Sequence, residues 1–474
     1  VTNHTRPLCV DLDGSLCRSD TLLESLLLLL KRQPLQLLKL LGWLRQGRAH
    51  FKQQIARYVL PDVASLPWNH PLGDWLKSQH AQGRILVLCT GADRRIAEAA
   101  ATHWGIFAEV LCSDGKTNLT SERKRAALVQ RYGERGFDYV GNASADLAVW
   151  RSAQQAVVVA PQKLQRQAAE LTTVEQHFAP DHGPRWRVWL KAMRLHQWAK
   201  NALVFVPMLV GGVLTADALT ASLTAFLAFG LCASSVYLFN DLLDLEADRS
   251  HPRKRERPLA AATLPLTHGV LAVPLLLALS VALALTTPIL FVLTLLGYYS
   301  LTLLYSFALK RFSVVDVISL AALYTLRLIA GGAATDIRLS FWLLAFSMSV
   351  FLSLGVVKRY AEIHEAKTSG RKLKGRGYRI DDLPLLANFG VSAGYGAVLV
   401  MALYINSAES MLRFAHPERL WLLCPLLLFW ISRVWVRTHR GQMHDDPVVF
   451  ALRDRVSQVV LISAVLLFAA ASLH

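Results

Sequence analysis

YLFNDLLDLEADRSHPRKRERPLAAA, residues 237–262, is the stretch on which the fold turns, because a long apolar run ends there abruptly in acids and then in bases. Asn240, Asp244 and Asp248 recur every four residues, and Asp241 stands three before Asp244. On a helix this spacing directs four oxygen-bearing side chains to one side. Carboxylates gathered at the end of an apolar helix repel one another unless a cation lies between them, and hard oxygen donors suit Mg2+ bridged to phosphate oxygens. The spacing therefore predicts a magnesium-diphosphate site at a membrane face. A second reading stays open at this point: a solvated helix end whose acids pair with Arg249, Arg253, Lys254, Arg255 and Arg257.

The chain has 474 residues, 53% of them hydrophobic, with a mean hydropathy of +0.33, so it is too long for one ordinary domain and too apolar to be wholly soluble. Its formal charge of +17 is carried largely in loops between apolar segments, a distribution that points to anionic lipid and phosphate ligands and away from nucleic acid. Cys9, Cys17, Cys89, Cys112, Cys232 and Cys424 form no C-x-x-C pair and no metal spacing, and read as reduced packing residues. The first ten residues reach a strand pattern with no signal-peptide features, which predicts a cytosolic N-terminal region.

The wider wording N-D-x-x-D-x-x-x-D resembles the first aspartate-rich motif of the UbiA-type prenyltransferase superfamily, integral-membrane enzymes that use Mg2+ to hold a diphosphate. The tail HPRKRERPLAA is similar to one branch, the polyprenyl-phosphate phosphoribosyltransferases, in which the sugar donor carries the diphosphate. The branch's R-x-x-Q-W-x-K-N segment is matched from Arg194 to Asn201, which implies that Lys200 and Asn201 face the active-site cavity; the alternative is a snorkelling anchor. Tyr305, Lys310 and Asp316 fall in a run similar to the branch's Y-S-x-x-L-K-x-x-x-x-x-D-V, and Arg327 in its L-R-x-x-A-G. Asp316 and Arg327 are ionisable residues inside apolar helices, so they read either as functional groups or as a buried pair. Gly331 and Gly332 read as close-packing residues.

Apolar spans fall near 202–217, 218–240, 267–286, 289–308, 314–332, 340–357, 386–406, 418–436 and 456–472. With a cytosolic N-terminus, nine crossings put the loops after spans 2, 4, 6 and 8 inside. Those loops hold Arg249 to Arg257, Lys310 and Arg311, a basic run from Lys358 to Arg379, and Arg437, Arg440, Arg453 and Arg455. The opposite loops carry chiefly Arg338, Arg413 and Arg419. The asymmetry follows the positive-inside rule without appeal to any family.

Prenyltransferases that bind prenyl diphosphate usually carry a second D-x-x-x-D after span 6. This chain has Lys358-Arg359-Tyr360-Ala361-Glu362 there, followed by Arg371, Lys372, Lys374, Arg376 and Tyr378. An acidic pair would hold a second metal; a basic pair holds a phosphate directly. The outer bases read as topology and lipid attraction. Asp445, Asp446 and Asp454 resemble a short acidic motif of the same branch, with no role assigned.

PLCVDLDGSLC, residues 7–17, reads as a buried strand running into Asp11, Asp13 and Gly14, and resembles the D-x-D-G-[ST] loop of the haloacid dehalogenase (HAD) superfamily. The resemblance implies Asp11 as nucleophile and Asp13 as acid/base. Three further elements keep the family's order: Thr90 and Gly91 ending ILVLCTG as phosphate binders, Lys124 in SERKRAALV as charge balance, and Gly141, Asn142 and Asp146 after FDYVG as the Mg2+ loop. Asn142 departs from the usual acid, leaving Asp146 beside Asp11, with Asp13, as the expected metal ligands. Residues 20–78 hold a Leu-rich insert too interrupted by Glu24, Lys31, Arg32, Pro34, Lys39 and Arg45 to span a bilayer, which reads as a helical cap. Its surplus of Leu, with Trp43, fits either a cap that leans on the bilayer or ordinary packing within the cap.

The expected architecture is thus an α/β HAD-like doubly wound domain with helical cap over 1–180, then an all-α nine-helix UbiA-type transmembrane domain over 181–474. The boundary falls at Asp181-His182-Gly183-Pro184. The expected activity is Mg2+-dependent transfer of 5-phosphoribose from phosphoribosyl diphosphate to a polyprenyl phosphate, at the cytosolic face of the inner or plasma membrane. Asp241, Asp244, Asp248 and Asn240 would hold the metal, Arg257, Tyr305, Lys310, Lys358 and Arg359 would bind substrate, and the HAD half would remove the 5-phosphate. The alternatives are a prenyltransferase using prenyl diphosphate and a non-catalytic lipid-phosphate carrier.

Overall fold

The computed structural model describes residues 6–179, 184–370, 377–443 and 446–472. The expected boundary at Asp181–Gly183, the bases Arg371, Lys372, Lys374 and Arg376, and Asp445 lie outside the described residues. The chain divides into two compact units, one of residues 1–193 with 237–273 and one of 194–236 with 274–474.

The first unit is built on a six-stranded parallel sheet. Its strands are β1 (Leu8–Val10), β2 (Leu86–Asp93), β3 (Glu109–Ser113), β4 (Asp138–Gly141), β5 (Gln155–Val158) and β6 (Thr173–His177), in the order β3-β2-β1-β4-β5-β6. The order in which strands are added reverses between β1 and β4, and a doubly wound sheet binds ligands outside the carboxyl ends of the strands at such a switch point. The central strands read as unbroken apolar runs because both faces are covered. Leu8, Val10, Leu86 and Leu88 pack with Leu72, Leu76 and Ile96 on one face, and Cys9, Val87 and Tyr139 with Leu128, Val149 and Trp150 on the other.

Helices α1 (Thr21–Arg32), α2 (Leu40–Arg45), α3 (Arg48–Tyr58) and α4 (His70–Ala81) lie between β1 and β2, with a 3-10 segment at Pro34–Lys39. Asp20 caps α1 through the Leu22 and Leu23 amides. The crossovers that follow are α5 (Arg94–Trp104), α6 (Ser121–Tyr132), α7 (Leu147–Ser152) and α8 (Gln162–Ala169), and α9 (Arg185–Ala192) comes after β6.

Beyond α9 the chain is helical: α10 (Val206–Gly211), α11 (Ala216–Leu243), α12 (Leu245–Arg249), α13 (Leu266–Ala284), α14 (Ile289–Phe307), α15 (Val315–Thr335), α16 (Phe341–Thr368), α17 (Leu383–Ile405), α18 (Ala408–Arg413), α19 (Leu423–His439), α20 (Pro447–Arg453) and α21 (Arg455–Ser472). Among the described residues eight helical stretches are long and apolar enough to cross a membrane, and the protein is an integral multi-pass membrane protein. The expected span near 202–217 is not a continuous helix. It divides into a 3-10 segment, Leu195–Phe205, and the short α10, which has Pro207 in its first turn and is capped by Gly212 in the left-handed conformation (φ +70°). Pro lacks the amide that would join the two segments, and Gly stops the second.

In the second unit α14, α15, α16 and α17 pack in chain order, with α19 against α17. Small residues set the spacing: a Cβ added at Gly331 would lie 2.1 Å from the Val204 carbonyl oxygen, which accounts for the expected packing role there.

Candidate functional sites

The aspartate-rich stretch does not remain one helix. Helix α11 stops at Leu243, Asp244 leaves helical geometry (φ −105°, ψ 17°), and α12 resumes at Leu245. The break turns the carboxylates apart. Asp241 and Asp248 are buried and converge on one nitrogen: Arg257 Nη1 donates to Asp241 Oδ1 at 3.0 Å and to Asp248 Oδ2 at 2.6 Å. Asp244 instead accepts from Lys31 Nζ of α1 at 2.7 Å. Asn240 lies one residue before Asp241 on the same helix. No group of three or more His, Cys, Asp or Glu side chains gathers at one point among the described residues. Even so, Asp241 and Asp248 already enclose a positive charge with hard oxygen donors, so the donor set fits Mg2+ where an ion takes the place of the Arg257 guanidinium.

The same loop is fastened to α1 more widely than the spacing revealed. Arg249 forms a buried pair with Glu24 at 2.6 Å and donates to the Ala260 carbonyl. Arg32 meets Glu246 at 2.8 Å, and the Asp62 amide donates to the other Glu246 oxygen. Lys31 and Glu24 are functional candidates that sequence reasoning missed; no local signal links them to residues more than two hundred positions away.

At the switch point of the sheet, Asp11 follows β1 as expected, and Thr90 and Gly91 lie within β2, which runs on to Asp93 instead of ending at Gly91. Lys124 Nζ, buried at the start of α6, donates to Asp11 Oδ1 at 2.8 Å and to the Tyr139 hydroxyl at 2.8 Å. Tyr139 in turn donates to Asp146 Oδ1 at 3.0 Å. Asp146 Oδ2 accepts from the Asn142 and Ala143 amides, so this carboxylate holds the loop after β4. Its Oδ1 accepts one hydrogen bond and keeps a lone pair, which leaves it able to serve as a ligand. Asn142 Oδ1 accepts from Ser15, and a Cβ on Gly14 (φ +77°) would collide with the Asn142 amide at 2.1 Å, so only Gly fits there.

Asp13 accepts from the Thr21 amide at 2.8 Å. Burial, with the neighbouring Asp20 carboxylate, pushes the Asp13 carboxyl up to about 7. Burial also pushes Asp11 up to about 6, against the pull of Lys124. A cavity of about 70 Å³ is lined by Asp13, Asp20, Thr21, Lys52 and Asp93 among others. Lys52 comes from the insert: its Nζ donates to the Gly91 carbonyl at 2.6 Å and to Asn118 at 3.1 Å. Lys52 and Tyr139 complete this cluster and were invisible to motif reading, Tyr139 because it reads as an ordinary buried strand residue.

The second unit holds a separate buried polar cluster. Asp446, expected without a role, is its hub: Oδ2 accepts from Lys200 at 2.7 Å and Lys358 at 3.1 Å, and Oδ1 from the Tyr324 hydroxyl at 2.9 Å. Asp446 also caps α20 through the Val448 amide, with Pro447 at the first helical position. The Lys358 and Lys200 charges outweigh burial and hold its carboxyl well below the usual carboxylate range. Asn201 accepts from Arg327 Nε at 2.9 Å, and Arg327 lies over the Tyr298 and Tyr324 rings. Asp316 and Arg327 are therefore not paired with each other. Asp316 is bound by Arg359, Nε to Oδ2 at 2.6 Å, and by the Tyr305 hydroxyl at 2.8 Å. Arg359 also meets Glu362, so its charge is balanced by protein carboxylates. Lys310 lies half-buried on the 3-10 turn Leu309–Arg311. Asp454 binds Arg433 and Arg437 and caps α21 through Ser457, a structural assignment.

Residues 204–454 match the UbiA prenyltransferase family. The uncharacterized protein y4nM of Sinorhizobium fredii is 37% identical over 462 residues, covering 95% of this chain and 88% of that protein. The nodulation protein NoeC of Azorhizobium caulinodans is 37% identical over 284 residues, 59% of this chain and 91% of that protein. The decaprenyl-phosphate phosphoribosyltransferase of Mycolicibacterium smegmatis is 31% identical over 310 residues, 62% of this chain and 96% of that protein. With the family match extending over more than half of the sequence and both clusters of its helical part inside that range or at its edge, the chain belongs to the UbiA prenyltransferase family.

Proposed function

We propose that the protein transfers 5-phosphoribose from phosphoribosyl diphosphate to a polyprenyl phosphate, and that its N-terminal unit is a HAD-type phosphatase acting on the product. The observation that carries the transferase reading is the gathering of Lys200 and Lys358 on Asp446, in a chain whose α16 has Lys358-Arg359-Tyr360-Ala361-Glu362 where enzymes that bind prenyl diphosphate usually carry their second acidic pair. Similarity to a decaprenyl-phosphate phosphoribosyltransferase supports the same substrate class.

In this reading Asn240, Asp241, Asp244 and Asp248 hold Mg2+, and Arg257 either yields to the ion or turns to the diphosphate. Bound Mg2+ would neutralise charge on the departing diphosphate. Lys200 and Lys358, positioned by Asp446 and Tyr324, bind substrate phosphate, with Asn201, Tyr305 and Lys310 as further polar contacts. Arg359 is buried against Asp316 and positions its helix. The acceptor phosphate oxygen attacks the anomeric carbon as the bond to the diphosphate breaks. The acceptor is already anionic, so no strong base is needed, and positioning with charge stabilisation supplies the rate.

In the N-terminal unit Asp11 attacks the 5-phosphate and Asp13 protonates the ribose oxygen that leaves, with water then releasing phosphate from Asp11. Thr90, Gly91 and Lys124 hold the phosphoryl group, and Asp146 with Asp11 and Asp13 supplies oxygen ligands for Mg2+. The order Asp11, Thr90, Lys124, Asp146 around one strand switch point supports this assignment. In this reading the N-terminal unit lies in the cytosol, which the positive-inside asymmetry of the loops supports.

The test is to incubate purified protein and Mg2+ with labelled phosphoribosyl diphosphate and polyprenyl phosphate, and in parallel with prenyl diphosphate and aromatic or other polar acceptors. Ribosylated lipid in the first mixture alone is the expected result; product only in the second overturns the donor assignment.

A further inference from the structure

The insert between β1 and β2 carries leucines that its own core does not use. Leu37 and Leu40 pack with Leu28, Leu29, Trp43, Ile55 and Val59, and Trp43 stacks on Tyr58. Leu35, Leu38, Leu41 and Leu44 turn the other way and are 78%, 85%, 72% and 49% exposed. Their spacing of three makes them one stripe: residues i and i+3 eclipse in the 3-10 segment Pro34–Lys39 and neighbour each other in α2. A contiguous apolar stripe of this kind marks a contact surface.

Charge and position indicate what covers it. From Lys31 to Arg57 every Asp or Glu is missing, while Lys31, Arg32, Lys39, Arg45 and Arg48 flank the stripe. The segment is pinned at both ends to the loop that follows the membrane helix α11. Lys31 and Arg32, just before Pro34, bind Asp244 and Glu246, and the Asp62 amide, after α3, binds Glu246 again. Asp244 is the first residue beyond the spanning helix Ala216–Leu243. The stripe thus adjoins residues bound to the first turn beyond an apolar helix long enough to span a bilayer, and its rim is basic.

We propose that residues 34–45 dock on an anionic bilayer surface, with Leu35, Leu38, Leu41 and Leu44 among the acyl chains and Lys39, Arg45 and Arg48 at headgroup phosphates. This holds the insert, with its Lys52 and the adjoining cavity, at the depth where a lipid-linked phosphate emerges. It depends only on the membrane character of the chain and stands apart from the assignment of either chemistry.

The test uses the full chain with Cys112→Ser, since the other native cysteines are buried. Leu38→Cys is labelled with an environment-sensitive fluorophore and reconstituted in vesicles of phosphatidylglycerol and phosphatidylethanolamine, or of phosphatidylcholine alone. Gln167→Cys on α8, exposed, is the reference position. Expected are a blue-shifted emission at position 38, quenching by brominated acyl chains but not by aqueous iodide, and deeper quenching in the anionic vesicles; position 167 shows the reverse. Iodide quenching at position 38 overturns the proposal. So does shielding from both quenchers, which would mean that protein covers the stripe.

Discussion

Lys31 Nζ lies 2.7 Å from Asp244 Oδ1, so a side chain from the insert of the N-terminal sheet domain occupies the aspartate at the centre of the expected diphosphate motif. Both side chains are more than a third exposed, and pairs of this kind contribute only ~0–1 kcal/mol to stability. The contact is better understood as competition: an ammonium at Asp244 opposes a divalent cation there. Lys31→Met should leave thermal stability nearly unchanged and lower the Mg2+ concentration for half-maximal glycolipid formation by about two- to fivefold, the equivalent of such a pair. An unchanged or raised Mg2+ requirement would show that Lys31 does not compete for this carboxylate.

Arg257 offers a test of the metal position that needs no turnover. Asp241 and Asp248 are both buried and share the Arg257 guanidinium, and removing it takes away a positive charge that lies between two carboxylates. Arg257→Ala should cost on the order of 3–5 kcal/mol in EDTA. Mg2+ should restore most of this loss, giving the variant a larger Mg2+-dependent rise in Tm than the wild type. Equal rises in both proteins would place the ion elsewhere.

These two contacts also show where sequence reading reaches its limit. The placing of Asp11, Lys124 and Asp146 was legible because each lies at a strand end or helix start whose local pattern announces it, whereas Thr90 lies within β2. The positions of Tyr139, Lys52 and Lys31 depend on tertiary packing, which no spacing encodes. The spacing of Asn240, Asp241, Asp244 and Asp248 assumed an unbroken helix, whereas the break at Asp244 turns one carboxylate to Lys31 and leaves two on Arg257. Hydropathy likewise saw a span near 202–217, because an average over apolar residues is blind to the stop that Pro207 and Gly212 impose. Asp446 was found as a motif but not understood, since its partners Lys200, Tyr324 and Lys358 are far away in sequence.

Lys358 and Arg359 are adjacent but should respond differently. Lys358 shares Asp446 with Lys200, and its loss would remove the proposed charge-assisted phosphate contact, of ~1.5–3 kcal/mol, so Lys358→Ala should raise the donor KM about ten- to a hundredfold with a smaller change in kcat. Arg359 is enclosed by Asp316 and Glu362, and Arg359→Ala should show first as reduced stability, because the buried countercharge that Arg359 gives Asp316 is lost. Steady-state kinetics and thermal unfolding of the two variants separate these outcomes. A normal donor KM for Lys358→Ala would remove it from the binding site.

The last expectation concerns the two chemistries together. If Asp11 carries the phosphoryl group, Asp11→Asn stops dephosphorylation but not transfer, because the ligands proposed for the transferase metal are Asn240, Asp241, Asp244 and Asp248. Asp11 is hydrogen-bonded to Lys124, and an amide of the same size keeps the site filled, so the fold should survive. The lipid product made by the variant should then retain its 5-phosphate, whereas the wild type yields the dephosphorylated lipid. Conversely, Asp244→Ala should abolish both products, since the second reaction consumes the first. Asn142 sharpens the test: its Oδ1 accepts from Ser15 where the HAD pattern has an acid, so Asn142→Asp should strengthen Mg2+ binding and raise the dephosphorylated fraction at limiting Mg2+. Mass spectrometry of the lipid products distinguishes these cases. Identical 5-phosphorylated products from the wild type and Asp11→Asn would mean that the N-terminal unit does not act on the lipid made by the membrane helices.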